Sequence, residues 1–339
     1  MLVVAVLVAV GLGVRYFLAA RGATGTVTGG GGATAGSVPM EPEEDRIDPD
    51  APNDWEETRH PFLGYPPEPA PRDEIVIRFP KARASFPFDD VITVAEAEVT
   101  LGDDALPFAG PAHRVRVKAF RIDRYEVTNE QYRRFIKATG HRQPELADDF
   151  AQDFSWRDGS FPTGTGDRPV VLVSQADARA YCAWAGKRLP TESEWERVAR
   201  SKGSRRYPWG DTWDGRKAHT AERLSGPLTS LDAWKAFQAQ SEADVSALPF
   251  QVGSYPEDVS EDGVYDLHGN VAEWTDSPFA PHPGGDSKAS PLFGDENIVV
   301  VKGVSFASRD YAAPAAARWP YQRNTFLDHV GFRCAGDAR

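Results

Sequence analysis

Few residues in this sequence could do chemistry, and their spacing excludes most reactions. There are two cysteines, Cys182 and Cys334, far apart along the chain. The histidines, His60, His113, His141, His219, His268, His282 and His329, are scattered. None forms a His-x-His pair or the His-Glu-x-x-His spacing that puts two imidazoles on one helix face toward a metal. His268, ahead of a Gly-Asn turn, reads as a surface or turn histidine. No Gly-x-Ser-x-Gly elbow, P-loop or dinucleotide fingerprint occurs. The stretch Ser305–Arg323 offers Ser308, Arg309, Asp310, Tyr311, Arg318, Trp319, Tyr321 and Arg323. Arginine and aromatic side chains are the usual anchors of binding surfaces. Arg318 and Trp319 could equally serve to pack the scaffold.

The elements around these residues announce themselves unevenly. Glu74–Phe79, Val91–Leu101 and Val115–Arg124 read as strands, as do Val170–Val173, Val299–Lys302 and Val330–Cys334. Three capping boxes mark helix starts at Thr128–Gln131, Ser174–Asp177 and Thr191–Glu194. The first helix turns Tyr132, Phe135 and Ile136 to one face and stops at Gly140. The second buries Ala180, Tyr181 and Trp184, with Gly186 as its left-handed stop. The third carries Trp195, Val198 and Ala199 and ends near Gly203. Residues 211–250 offer one short helix near Leu231–Gln240. With 30 Gly and 27 Pro, the fold must be rich in loops.

Composition is that of a globular chain, 41% hydrophobic and 26% charged. Fifty acidic against 38 basic residues give a net charge of −12. Such a surface repels phosphate backbones, so no nucleic-acid partner is expected. Residues 1–21 are an apolar segment, Leu2–Val14 and Tyr16–Ala20, interrupted by Arg15. At about 1.5 Å per residue it nearly spans a hydrocarbon core of roughly 30 Å. It reads as a transmembrane anchor, or as a secretory signal cleaved after Ala20. The missing basic residues ahead of it, and Arg15 and Arg21 behind, are unusual for export of the C-terminal part. Residues 22–71 read as a flexible Gly, Pro and acidic linker, and 72–339 as the folded domain.

Five blocks give that domain a family resemblance. They are RIDRYEVTNEQYRRF (Arg121–Phe135), PVVLVSQADARAYCAWAGKRLPTESEWER (Pro169–Arg197), YPWG (Tyr207–Gly210), GVYDLHGNVAEWT (Gly263–Thr275) and GFRC (Gly331–Cys334). Together they resemble the formylglycine-generating enzyme and sulfatase-modifying-factor family, in family order, across roughly 91–339. The resemblance implies a single α+β domain of C-type-lectin-like fold with little regular secondary structure. It implies a Cys182–Cys334 disulfide, which requires an oxidising compartment.

It also implies a missing centre. Members of this family hold copper(I) between two cysteines, and here Ser308 and Ala313 stand near those positions. Neither can replace a soft thiolate, so copper is not expected. The turn Gly269–Trp274 resembles a family calcium site, which makes Asn270, Val271 and Glu273 the expected metal ligands. A second family calcium site looks degraded, with Ala218-His219 where its asparagine would stand. Cofactor expectations are therefore structural calcium and no copper. Arg309, Tyr311, Arg318 and Trp319 are the candidate ligand-binding residues. The resulting expectation is a membrane-anchored, extracytoplasmic binding or scaffold module for a peptide, glycan or envelope protein. The alternatives are secretion after signal cleavage, an enzyme of different chemistry on the same scaffold, and formylglycine formation.

Overall fold

A backbone N–H left over at a helix start must find an acceptor, and all three expected caps supply one. In the computed structural model, which describes residues 90–338 except 107, 203–204, 227, 229, 231, 235, 238–248 and 309–311, each box is complete. Thr128 Oγ1 accepts from Gln131 N at 3.3 Å and the Gln131 side chain accepts from Thr128 N at 2.8 Å. The helix it opens, α1 (Asn129–Thr139), ends at Gly140 with φ 70°. Ser174 and Asp177 cap α2 (Gln175–Trp184) in the same way, and Thr191 and Glu194 cap α3 (Glu192–Ala199). A short α4 (Ala221–Ser225) comes next. Among the described residues no helix is long and apolar enough to cross a membrane. The anchor, the linker and the Glu74–Phe79 strand lie outside the described residues. So does part of the helix expected near Leu231–Gln240.

Two expected strands each divide in two. Val91–Leu101 becomes β1 (Val91–Val94) and β2 (Ala97–Leu101). Val115–Arg124 becomes β3 (His113–Val117) and β4 (Phe120–Asp123). The divided halves join different sheets: β2 pairs antiparallel with β3, while β1 pairs with β4, which also pairs with β9 (Ala335–Asp337). A four-stranded sheet has the order β7-β6-β5-β8, from β5 (Ala272–Pro278), β6 (Ile298–Lys302), β7 (Trp319–Gln322) and β8 (Val330–Gly331). Its β5–β8 pair is parallel and the rest antiparallel. Short antiparallel sheets with helices set apart from them make an α+β fold.

Val170–Val173 forms no strand. Leu172 takes φ 58°, a conformation that breaks any ladder for a branched residue. The stretch stays buried and spends its N–H groups singly, Val170 on Val127 O and Leu172 on Leu327 O. Trp184, expected inside, is 39% exposed, its ring lying against Phe135 and Tyr181 at the α2 terminus. The main core gathers Tyr132, Phe135, Trp156, Tyr181, Trp274, Trp319 and Phe332 around the sulfurs of Cys182 and Cys334. Those two cysteines form the expected disulfide, with Cα atoms 5.6 Å apart.

Candidate functional site

The turn after β6 carries Ser308, expected near one of the family's cysteine positions. Gly303 takes φ 76°, and a Cβ there would press on the Trp195 ring at 3.2 Å. Only glycine lets the chain leave the strand in this direction. The next residues close on themselves. Ser308 Oγ accepts from Ser305 N at 2.8 Å and lies 3.0 Å from Ser305 Oγ, and Ser305 Oγ accepts from Ala307 N. Both hydroxyls are buried, and no imidazole or carboxylate is hydrogen-bonded to either among the described residues. Among the described residues Ser308 therefore has no base bonded to it that would make it a nucleophile. Ala313 is buried in the main core. Arg309 and Tyr311 lie outside the described residues.

Arg318 and Trp319, expected as ligand anchors, are instead parts of the scaffold. The Arg318 guanidinium sits on the Glu192 carboxylate at 2.5 and 2.9 Å and donates to Phe108 O at 2.7 Å. Trp319 donates its indole N–H to Gly303 O at 2.7 Å. Both are nearly inaccessible. They belong to a buried charge network that sequence reading missed. Lys302, wholly buried on β6, donates to Glu196 at 3.0 Å, and Glu196 also accepts from Arg200 at 2.7 Å and from Gly102 N at 2.7 Å. Burial alone would raise the Glu192 pKa, but the His282 hydrogen bond and the Arg318 and Lys302 charges hold it at about 2.

The Gly-Asn turn beside this network was the expected calcium site. Asn270 takes φ 53° and is tied down on every side. Its Oδ1 accepts from Phe250 N at 2.7 Å, and its Nδ2 donates to Glu126 at 2.6 Å. Val271 N also donates to Glu126, at 3.2 Å. Glu273 is enclosed and meets Arg333 through both oxygens at 2.8 Å. Calcium takes six to eight oxygens. Among the described residues no three acidic, cysteine or histidine side chains converge to hold a metal. Asn270, Val271 and Glu273 do not fit calcium in this arrangement, because a guanidinium already occupies the carboxylate that would bind it.

Three more buried carboxylates face this pair. Burial raises Glu126 and Asp258 well above the usual carboxylate range, and the Asp266 and Glu273 charges push the same way. Asp266 is pushed up to about 7, chiefly by burial and also by Glu273, against the pull of Gly253 N and Arg333. A group whose folded pKa lies above its unfolded value of about 3.9 stabilises the fold fully below that value. That stability is lost as pH rises through about 7. Glu192 acts oppositely: its contribution is present above about 4.3 and is lost as pH falls toward its folded value of about 2. The melting temperature is therefore expected to peak near pH ~4–5 and to fall toward pH ~8, with or without EDTA. Asp266→Asn should flatten the alkaline limb in a thermal-melt pH series. A melting temperature that drops on chelation would return calcium to this turn.

His268, expected at the surface or in a turn, lies in a bend and is buried. Its ring packs against Tyr207, Trp209 and Trp213 at centroid distances of 5.1–5.4 Å, and its backbone N–H donates to Asp258 at 3.1 Å. Glu126, Asp258 and Asp266 were missed in the sequence. The one available signal was an acid between large apolar residues, as in Tyr125-Glu126-Val127.

Residues 77–338 match the sulfatase-modifying factor enzyme 1-like domain. The chain is 32% identical over 295 residues to the formylglycine-generating enzyme of Mycobacterium tuberculosis, covering 68% of this chain and 92% of that one. It is 34% identical over 273 residues to hercynine oxygenase of Mycolicibacterium thermoresistibile, covering 70% of this chain but only 56% of that one. It is 33% identical over 270 residues to inactive C-alpha-formylglycine-generating enzyme 2 of Bos taurus, covering 68% and 81%. Among solved structures, PvdO from Pseudomonas aeruginosa is similar at TM-score 0.54 and 25% identity, over 73% of this chain and 94% of that one.

Proposed function

The chain belongs to the sulfatase-modifying factor enzyme 1-like domain family, and on that premise we propose that it is a binding or scaffold module rather than a copper-dependent formylglycine generator. One observation carries the reading: the only two cysteines are joined to each other. No thiol is left to ligate copper(I), and hydroxyl and methyl groups are poor ligands for so soft an ion. Ser308 and Ala313, near the family's cysteine positions, are both buried. Membership in the family does not decide activity, since relatives named as enzymes and one named as inactive share the domain.

In this proposal the domain stands outside the membrane on the 1–21 segment and the 22–71 linker. The buried disulfide supports an oxidising compartment. A peptide, glycan or envelope protein would be bound beside the Ser305–Arg323 stretch, where Arg309 and Tyr311 are the remaining candidate anchors. An enzyme of different chemistry is the second reading, favoured by the 34% identity to a protein named as an oxygenase.

The test uses the full-length chain, treated with copper and incubated with a peptide bearing Cys-x-Pro-x-Arg. Mass spectrometry should find the peptide cysteine unchanged while an active relative converts it. Conversion to formylglycine would overturn the proposal and show that the scaffold oxidises a thiol without a copper-binding pair.

A further inference from the structure

Four polar atoms on three residues near α4 are buried without partners. Thr220 Oγ1, Ser254 Oγ, and Nε and Nη1 of Arg223 are all shielded from solvent, and none is hydrogen-bonded among the described residues. Thr220 is the residue ahead of α4, is wholly buried, and makes no capping bond with its side chain. Arg223 stands three positions later on the same short helix. Ser254 is joined to this place through its neighbour Tyr255. The Tyr255 hydroxyl lies 3.1 Å from Nδ1 of His219, which directly precedes Thr220. Burial raises the Tyr255 pKa, and the Arg223 guanidinium, as a charge and as a hydrogen-bond donor to the phenol, offsets part of that rise. One tyrosine thus touches both the arginine and the residue beside the threonine.

Arg223 is half-buried, but its Nε and Nη1 are shut off from solvent, and idle N–H groups on a cation favour an acceptor that carries negative charge. Among the described residues no carboxylate is hydrogen-bonded to Arg223 Nε or Nη1. Water could satisfy the two hydroxyls, whereas an anion would meet the hydroxyls and the guanidinium together. Arginine offers donors only, and both hydroxyls can turn to donate. Such a set is complementary to an acceptor carrying negative charge and repels any cation. All four atoms are closed to solvent, which suits a small ion better than the end of a polymer.

We infer that Thr220, Arg223 and Ser254 form a binding site for a small inorganic anion, a halide or an oxyanion such as sulfate, walled by Tyr255 and His219. One wall of the site, His219, contacts the Ser305–Ser308 turn. The His219 ring stacks on Phe306 at 6.3 Å, and Phe306 N donates to Asn270 O at 2.9 Å. Filling it would therefore steady the turn that borders the proposed binding stretch. On a chain of net charge −12, diffuse anion uptake is not expected, so a saturable effect would report a local site.

The experiment titrates chloride, bromide, sulfate and phosphate into the full-length protein at constant ionic strength. It reads the melting temperature and chloride-35 NMR line width. At least one of these anions should raise the melting temperature saturably, by about 2–5 °C. Arg223→Met should weaken that binding at least tenfold. Thr220→Val with Ser254→Ala removes two donors with little change of shape, and should weaken binding severalfold even where Arg223→Met fails to fold. Bromide soaked into crystals should appear beside Arg223. An unsaturable response that both variants share with the parent protein would overturn the inference. So would bromide found only elsewhere, an adventitious ion only.

Discussion

Replacing both Cys182 and Cys334 with alanine is expected to lower the stability of the domain by about 5 kcal/mol, measured as a shifted denaturation midpoint in urea. The bridge closes a loop of 152 positions. In the chain-entropy account, a cross-link of that span removes more freedom from the unfolded chain than a short one does. The native state gains as well. Both sulfurs are fully buried in the cluster that holds Tyr132, Tyr181, Trp274 and Phe332. The link also ties α2 to the β8–β9 segment, where Cys334 N donates to Asp123 at 3.0 Å and Asp123 accepts from Lys187 at 2.6 Å. Reductant applied to the folded protein should act slowly, because the bond is exposed only when the core opens. An unchanged midpoint in the double variant would mean that packing alone holds these elements together.

The second large effect is expected at Arg333. Its guanidinium meets Glu273 through two bonds of 2.8 Å and donates to Tyr265 O at 2.9 Å and to Asp266 O at 3.1 Å. Arg333→Met would leave Glu273 enclosed and without its counter-charge. Breaking a buried pair from one side costs about 3–5 kcal/mol. Replacing both partners removes the stranded charge, so Glu273→Met with Arg333→Met should be more stable than Arg333→Met alone. Recovery should be incomplete, because the backbone carbonyls of Asp123, Arg124, Tyr265 and Asp266 also lose this donor. A double-mutant cycle in urea reads the difference directly. Equal destabilisation in the single and double variants would show that the carbonyl bonds, not the ion pair, matter here.

The residues legible in advance share a short range. A capping box is closed within four residues, and a glycine stop needs only its own φ. Thr128, Ser174 and Thr191 therefore open helices where expected, and Gly140 ends the first. The family blocks were legible because they are long runs of particular residues. From the count of two cysteines alone it follows that no second thiol pair exists to bind copper.

Strand partners were decided elsewhere. Nothing local in Val91–Leu101 shows that Val94 pairs with Phe120 while Ala97 pairs with Val117. The same holds for side chains with two uses. Arg318 reads as an anchor until Glu192, 126 positions away, takes its guanidinium. Glu273 reads as a metal ligand until Arg333, 60 positions on, covers both oxygens. Helix starts and stops, the family and the lack of a copper pair could all be read from the order of residues. Which charges are buried, and what neutralises them, emerged only once the chain was folded. Hydrogen bonds across a few residues are written in neighbouring letters, whereas the cost of enclosing a charge depends on every segment folded around it.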